Sequence, residues 1–163
     1  MPWHAVQHKP GQANRALANL ENQNIRSFHP EVSIERIANR KRTVRSEPLF
    51  PGYIFIQVDQ DDSCWRQLHS TRGVLRVLSF GGKPGVIPDE VVDYIADNLE
   101  AVESAGGLRK GQPVGIQDGP LKGLEAIFQS YDGEQRAVVL ISFMQSQQKI
   151  KVGLADLQQT RGR

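Results

Sequence analysis

The chain has 163 residues, 39% of them hydrophobic, which is enough for one modest core and a second small unit. No apolar run approaches the length of a membrane span, so we expect no membrane partner. The single cysteine, Cys64, cannot close an internal disulfide, and the first residues lack a basic segment followed by an apolar one. Together these features predict a cytoplasmic protein.

The net charge of +2 hides opposite charges along the chain. Residues 1–50 carry eight Lys and Arg against four Asp and Glu, residues 51–105 carry four against nine, and residues 106–163 carry eight against five. The basic first third is compatible with nucleic-acid binding. By charge alone, however, a solvated surface is the better explanation.

Strands interleaved with helices are predicted over the first hundred residues. In chain order they are a strand at 3–8, a helix with Ala13, Ala16, Leu17 and Leu20 on one face, a strand at 32–37, a basic turn at 39–45, strands at 52–58 and 74–80, and a helix from Pro88 that aligns Val92, Ile95, Leu99 and Val102. We expect the strand at 52–58 to pair with the strand at 32–37 as a hairpin. The fold class is α+β, an antiparallel-sheet sandwich with flanking helices over residues 1–102.

The strand that begins at Tyr53 is apolar on both faces. Alternation separates Ile54, Ile56 and Val58 on one face from Tyr53, Phe55 and Gln57 on the other. One face can be the core, but a monomeric domain rarely leaves two aromatic rings of the other face in water. A partner or another piece of the chain must cover them, unless the strand is sandwiched inside a larger fold.

A flexible linker is predicted at 103–112, and the tail at 113–163 satisfies two periodicities. As strands, residues 114–117, 124–131, 136–144 and 149–152 form a small barrel. As helices, one apolar stripe contains Leu124, Ile127, Phe128 and Tyr131, and a second contains Val139, Leu140, Phe143 and Met144. From the residues alone, both the barrel and a helical hairpin that turns at Asp132-Gly133 stay open.

Motifs for catalysis or metal binding are not recognisable in the sequence. The carboxylate pairs Asp61-Asp62 and Asp89-Glu90 are adjacent, so spacing alone places neither pair to share a proton or a metal. His4 and His8 fall on a predicted strand, and no further ligand follows them. We therefore expect a protein that is not an enzyme and that uses no cofactor and no metal.

Polar and basic side chains favour nucleic-acid binding more than catalysis. The exposed face of the first helix combines positive charges, which suit phosphates, with amides, which can contact base edges. The turn at 39–45 and the bend at 71–73 add further cationic groups. The candidate DNA-binding residues are Lys9, Gln12, Arg15, Asn19, Gln23, Arg40, Lys41, Arg42, Thr71 and Arg72.

Three motifs, in this order and spacing, resemble a known family along nearly the whole chain. They are Glu47-Pro48-Leu49-Phe50-Pro51-Gly52-Tyr53-Ile54-Phe55, Ser70-Thr71-Arg72-Gly73-Val74 and Asp118-Gly119-Pro120-Leu121-Lys122-Gly123, and they resemble the NusG family of transcription elongation factors. Within that family, Lys41-Arg42-Thr43 and Glu125-Ala126-Ile127-Phe128 are most similar to the operon-specific antiterminators.

The resemblance implies two macromolecular partners for residues 1–102. RNA polymerase would be bound at its clamp helices by Phe50, Tyr53 and Phe55, and at its gate loop by Cys64, Trp65 and Arg66, where the best-known relative has His-Thr-Thr. The second partner is an ops element in the exposed non-template DNA strand of a paused transcription bubble. Asn19 stands where that relative contacts DNA with a His, so this contact must differ.

For the tail, the resemblance implies two forms in a monomeric factor. In the free protein the tail would be a helical hairpin that covers the aromatic rings of Phe50, Tyr53 and Phe55. The covering residues would be Val139, Leu140, Phe143 and Met144, and Glu47 and Arg136 would form an interdomain ion pair. After release it would be a five-stranded KOW-type β-barrel that recruits the ribosome through a small-subunit protein. Two alternatives stay open, a general NusG-like elongation factor with a permanent barrel and a KOW-type ribosome- or RNA-binding protein.

Overall fold

The structure, a computed structural model, describes residues 1–104, 124, 127 and 133–146. Residues 133–146 are helical and are called α4. The preceding elements are β1 (Trp3–His8), α1 (Ala13–Asn22), β2 (Arg26–Phe28), β3 (Glu31–Ala38), β4 (Lys41–Pro48), β5 (Tyr53–Gln57), α2 (Ser63–Gln67), a 3₁₀ turn (Leu68–Ser70), β6 (Val74–Val77), β7 (Ser79–Phe80), β8 (Lys83–Pro84) and α3 (Asp89–Ser104).

An antiparallel sheet with the strand order β2-β5-β1-β6 forms the centre of the fold. The strand β5 pairs with β1 on one side and with β2 on the other, so its backbone groups are satisfied by two neighbours. The remaining strands form two separate two-stranded antiparallel ribbons, β3-β4 and β7-β8. The predicted α+β class with an antiparallel sheet is confirmed.

Each face of the sheet contributes to a separate hydrophobic cluster. Ile54, Ile56 and Val58 pack with Ala16 and Leu20 of α1 on one face. On the other face, Phe55 packs with residues of β1, of α3 and of α4, including Trp3, Ile95 and Leu140. The predicted division of β5 into two apolar faces is therefore confirmed, and both faces are covered.

The predicted partner of the strand at 32–37 was wrong. The strand β3 pairs with β4 in continuous register from Glu31 opposite Pro48 to Ala38 opposite Lys41. Of the residues expected to form a basic turn, 39 and 40 form the loop and 41–45 are part of β4. The residues Lys41–Pro48 contain one apolar side chain before Pro48, Val44, which is 64% exposed. A strand whose side chains face solvent gives no alternating pattern, and only its backbone pairing defines it.

Other predicted elements match with smaller differences. The helices α1 and α3 lie where their apolar spacing placed them, and Val92 and Ile95 of α3 are buried. The strand expected at 74–80 is divided into β6, which belongs to the central sheet, and β7, which belongs to the β7-β8 ribbon. Sequence analysis missed β2 and α2, which are three and five residues long, because elements this short show no periodicity.

Most predictions for the linker and the tail lie outside the described residues. The helix α3 ends at Ser104, and of the predicted linker and tail the structure then describes only residues 124, 127 and 133–146. Within this described part of the chain, no helix is long and apolar enough to cross a membrane.

His4 is a fully buried ionisable side chain in the middle of the sheet. Its Nδ1 donates a hydrogen bond to the Gly85 carbonyl at 2.8 Å, and its ring lies edge-on to Trp65 with the ring centroids 4.8 Å apart. Burial lowers the pKa of His4, although the hydrogen bond to Gly85 and the charge of Asp59 oppose this shift. Burial likewise lowers the pKa of His29.

Acidification should therefore destabilise the fold. Because the pKa of His4 is lower in the folded than in the unfolded chain, the unfolded state binds more protons once the pH falls below about 6.5, the ordinary histidine value. We expect the free energy of unfolding, measured by urea denaturation, to decrease from pH 7.5 to 5.5. H4Q should reduce this dependence, whereas H69Q, at an exposed site, should retain it. An unchanged slope in H4Q would contradict this assignment.

Candidate functional site

One group of candidate DNA-binding residues comes together where the turn before α1 meets the bend at 71–73. The Lys9 amide donates to the Gly73 carbonyl at 2.8 Å, which joins these two segments. Gly73 has φ of 92°, and a Cβ at this position would lie 2.7 Å from the backbone nitrogen of Ala16. A glycine is therefore required for the bend to lie this close to α1. Lys9, Arg15 and Arg72 are exposed.

Three other predicted DNA-binding residues form hydrogen bonds within the same region. The Thr71 hydroxyl donates to the Gln67 carbonyl at 2.7 Å and accepts from the Gln23 side-chain amide at 2.9 Å. The Asn19 side-chain amide donates to the Arg72 carbonyl at 3.1 Å. These bonds tie the end of α1 to the bend at 71–73.

Of the remaining predicted DNA-binding residues, Gln12 immediately precedes α1, and the other three lie on the β3-β4 ribbon. Arg40, Lys41 and Arg42 are exposed at the tip of the β3-β4 ribbon. Asn39 and Arg40 form its two-residue loop with φ of 53° and 63°, which matches a type I′ turn. This ribbon is not part of the central sheet. The predicted DNA-binding residues therefore lie in two groups, one around α1 and the bend at 71–73 and one at the tip of the β3-β4 ribbon.

The short helix α2 carries the residues predicted to contact the polymerase gate loop. Asp62 caps the helix by accepting from the Cys64 amide at 3.0 Å, and a hydrogen bond with this same carboxylate raises the pKa of the Cys64 thiol. Trp65 packs on the cluster beneath α1, and Arg66 is exposed. The helix therefore presents one free cationic side chain and one ring that is partly used in packing.

The predicted clamp-helix residues lie on the opposite face of the sheet. Phe50 and Phe55 are each 1% exposed, with ring centroids 5.5 Å apart, and Phe28 lies 5.9 Å from Phe55. Tyr53 is half-buried and packs against the same cluster. These rings form what we call the aromatic face, Phe28, Phe50, Tyr53 and Phe55.

The helix α4 covers the aromatic face. Leu140, Phe143 and Met144 are buried in the same cluster as Phe50 and Phe55, and Val139 packs against it. These four residues form one apolar stripe of the predicted tail helix, and the structure brings them together with the aromatic rings, as the family resemblance implied. Leu124 and Ile127 are also fully buried there.

Specific contacts fix α4 along its length. A Cβ on Gly133 would lie 2.6 Å from the Cγ atom of Pro51, and a Cβ on Gly85 would lie 2.7 Å from the Cε atom of Met144. Between them, Nε of Arg136 donates a hydrogen bond to the Leu49 carbonyl at 2.8 Å. Arg136 is only 1% exposed, so this bond is shielded from water. The close approach of Gly133 to Pro51 and the buried hydrogen bond of Arg136 to Leu49 therefore position α4 against this segment.

Glu47, the predicted ion-pair partner of Arg136, is half-buried near the end of β4. It lies two residues before Leu49, whose carbonyl accepts from Arg136. Sequence analysis missed the roles of Leu49, Pro51 and Gly85. Apart from the presence of two glycines, no sequence signal marks a carbonyl or a close backbone approach.

Within the described part of the chain, no group of three or more His, Cys, Asp or Glu side chains is placed to hold a metal ion. The two surfaces described above are polar and basic on one side of the sheet and aromatic on the other. This arrangement suits contacts with macromolecules.

Comparison with known proteins gives a consistent result. The family model described as "Transcription termination factor nusG" matches residues 1–96. Proteins named "Transcription termination/antitermination protein NusG" are similar to this chain: the Helicobacter pylori protein is 29% identical over 153 residues, covering 86% of this chain and 87% of its own length. The Thermus thermophilus protein is 32% identical over 141 residues, covering 72% and 76%, and the Escherichia coli protein is 27% identical over 150 residues, covering 82% and 81%.

Among solved structures, one described as "Domain interaction in Thermotoga maritima NusG" is 24% identical to this chain. The match covers 72% of this chain and 66% of that chain, with a TM-score of 0.40.

Removal of the Arg136 guanidinium should loosen α4. R136M keeps an unbranched side chain but loses the donor to Leu49, and a hydrogen bond from a charged group contributes about 1.5–3 kcal/mol. We expect amide hydrogen exchange in residues 133–146 to accelerate by about 10- to 150-fold, because 1.4 kcal/mol corresponds to a factor of ten. Q135A, at an exposed position of α4, is the control and should exchange as the unmodified protein does. Equal protection in R136M would show that the bond does not hold the helix.

Proposed function

Because the chain belongs to the NusG family of transcription termination and antitermination factors, we propose that it is an operon-specific antiterminator of the RfaH type. Factors of this family act with RNA polymerase. The proposal adds a sequence-specific DNA contact, a tail that covers the polymerase-binding face, and a later role of the tail at the ribosome.

The observation that carries this proposal is the covered aromatic face. Phe50 and Phe55 lie beneath Leu140, Phe143 and Met144, so a partner that binds these rings must displace α4. Burial of a large apolar side chain contributes about 1.5–3 kcal/mol, which makes this contact a substantial barrier to binding. Such an arrangement supports a factor whose polymerase contact is blocked until the tail is released.

In the proposed complex, polymerase is bound at two places on opposite faces of the sheet. Phe50, Tyr53 and Phe55 bind the clamp helices after α4 has left. The exposed Arg66 and the neighbouring Trp65 supply the gate-loop contact on the other face, with Cys64 at the start of the helix. A rigid sheet between two contacts can bridge the polymerase cleft and thereby suppress pausing.

Recruitment depends on the proposed contact with the ops element of the non-template strand. Lys9, Arg15 and Arg72 are exposed around the start of α1, and cationic side chains there suit the phosphates and bases of an unpaired strand. The basic tip of the β3-β4 ribbon adds a second cationic group. The residues around the start of α1 lie on the α1 side of the sheet, away from the aromatic face.

The tail at 113–163 is proposed to have two forms, separated from residues 1–102 by the linker at 103–112. The helical form is stabilised by the aromatic face, which supplies the apolar cover that a short helix needs. When that cover is lost, β-branched residues such as Val138, Val139 and Ile141 favour the barrel. The released barrel then recruits a ribosomal small-subunit protein.

A general elongation factor of the same family, with a permanent barrel, is the second candidate. The names of the three relatives above favour it, since each is called NusG. The helical state of residues 133–146 favours the first candidate instead.

Separation of the tail tests the choice between these candidates. Residues 113–163 expressed alone should give β-type carbon chemical shifts, because the aromatic face no longer covers their apolar stripe. The same residues in the intact protein should give helical shifts at 133–146. If the tail gives β-type shifts in both contexts, the general factor is the better description.

Truncation of Tyr53 tests the polymerase contact. Y53A should weaken binding of core polymerase by about 30-fold or more in the R136M background, because tyrosines at interface hot spots contribute about 2 kcal/mol or more. Tyr53 is chosen because Phe55 is fully buried, and its truncation would cost about 3–5 kcal/mol of stability. The matched control is L75A, at a half-exposed residue of β6. Equal binding by Y53A and L75A would argue against the aromatic face as the contact.

A further inference from the structure

The side chain of Thr71 is already committed within the protein. It is 5% exposed, and the one proton of its hydroxyl is donated to the Gln67 carbonyl at 2.7 Å. A phosphate oxygen accepts hydrogen bonds but does not donate them, so Thr71 has no proton left for a phosphate. One of its two lone pairs is also used, by the Gln23 amide at 2.9 Å.

Gln23 and Asn19 each use one amide proton within the protein. The Gln23 side chain donates one of its two Nε2 protons to the Thr71 hydroxyl, and its Oε1 atom is buried. The buried Oε1 atom therefore does not accept from a base edge, and one Nε2 proton is already used within the protein. Asn19 donates to the Arg72 carbonyl at 3.1 Å, so it contacts the backbone of the residue that carries the charge.

All of these bonds converge on the segment that carries Arg72. Residue 71 is held through its side chain, residue 72 through its carbonyl, and Gly73 through its carbonyl and its contact with Ala16. The Arg72 side chain is itself exposed. The backbone on both sides of this cation is therefore fixed, which reduces the entropy lost when its guanidinium binds a ligand.

We propose that Thr71, Gln23 and Asn19 are positioning residues that act on DNA through Arg72. The direct contacts near α1 are then made by Arg72 together with Lys9, Gln12 and Arg15. This inference rests on the proposed DNA contact and assigns different roles to residues that the sequence pattern grouped together.

A double-mutant cycle tests the proposal. Recruitment is measured to a paused elongation complex, assembled from purified RNA polymerase, whose non-template strand carries the ops element. R72A should weaken recruitment by about 5- to 150-fold, the range for one good arginine contact. T71V should weaken it at least 3-fold in the unmodified protein and should have no further effect in R72A, because its effect passes through that side chain.

Two controls accompany the cycle. K9A should weaken recruitment by the same factor in both backgrounds, since Lys9 makes its own contact. T71S retains the hydroxyl and should restore recruitment. The salt dependence supplies a readout that loss of stability would not change: R72A should reduce the slope by about one, and T71V should reduce it no further in R72A.

Each outcome has a distinct meaning. Full additivity of T71V and R72A would overturn the positioning role, and so would unchanged recruitment of T71V alone. Unchanged recruitment of R72A would instead remove the proposed DNA contact of this bend. Loss of recruitment in T71S as large as in T71V would show that the hydroxyl bonds are not responsible, which would also overturn the inference.

Discussion

A strand that is apolar on both faces must be covered twice, and the arrangement of the whole molecule follows from this requirement. The helix α1 covers Ile54 and Ile56, whereas α3 and α4 share the face that contains Phe55. Of these covers, α4 is contributed by a segment distant in sequence from the sheet that it covers. The same hydrophobic effect therefore stabilises the sheet and holds α4 against it.

Sequence patterns predicted those parts of the fold in which burial and periodicity coincide. The two faces of β5 and the apolar sides of α1 and α3 each correspond to a regularly spaced set of buried residues. The ribbon β3-β4 was predicted wrongly because its second strand is exposed, and because the turn at Asn39 and Arg40 lacks the glycine that usually signals a type I′ turn. Exposed strands are defined by backbone pairing, which leaves little trace in the sequence.

The candidate site shows the same limit at higher detail. Residue types alone grouped Thr71, Asn19 and Gln23 with Lys9 and Arg72, because all are polar and near the bend. Only the three-dimensional structure shows which of these polar atoms already form hydrogen bonds within the protein. Similarly, the pairing of Leu140 and Phe143 with the aromatic face came from a family resemblance, since periodicity does not identify the surface that an apolar stripe covers.

The two surfaces are independent in one important respect. The helix α4 covers the aromatic face, yet Lys9, Arg15 and Arg72 are exposed while it is in place. The cationic surface around α1 is thus accessible in the same state in which the aromatic rings are buried. Any nucleic acid that binds there can do so without competing with α4.

The two partners of the hydrogen bond between Arg136 and Leu49 differ in how easily a mutation can remove them. Its acceptor is a main-chain carbonyl, which every amino acid at position 49 would supply, whereas its donor exists only while position 136 is occupied by a suitable cation or amide. Sequence drift in the first hundred residues can alter the packing around this bond but cannot delete its acceptor. For this one hydrogen bond, side-chain substitutions act through position 136 and not through position 49.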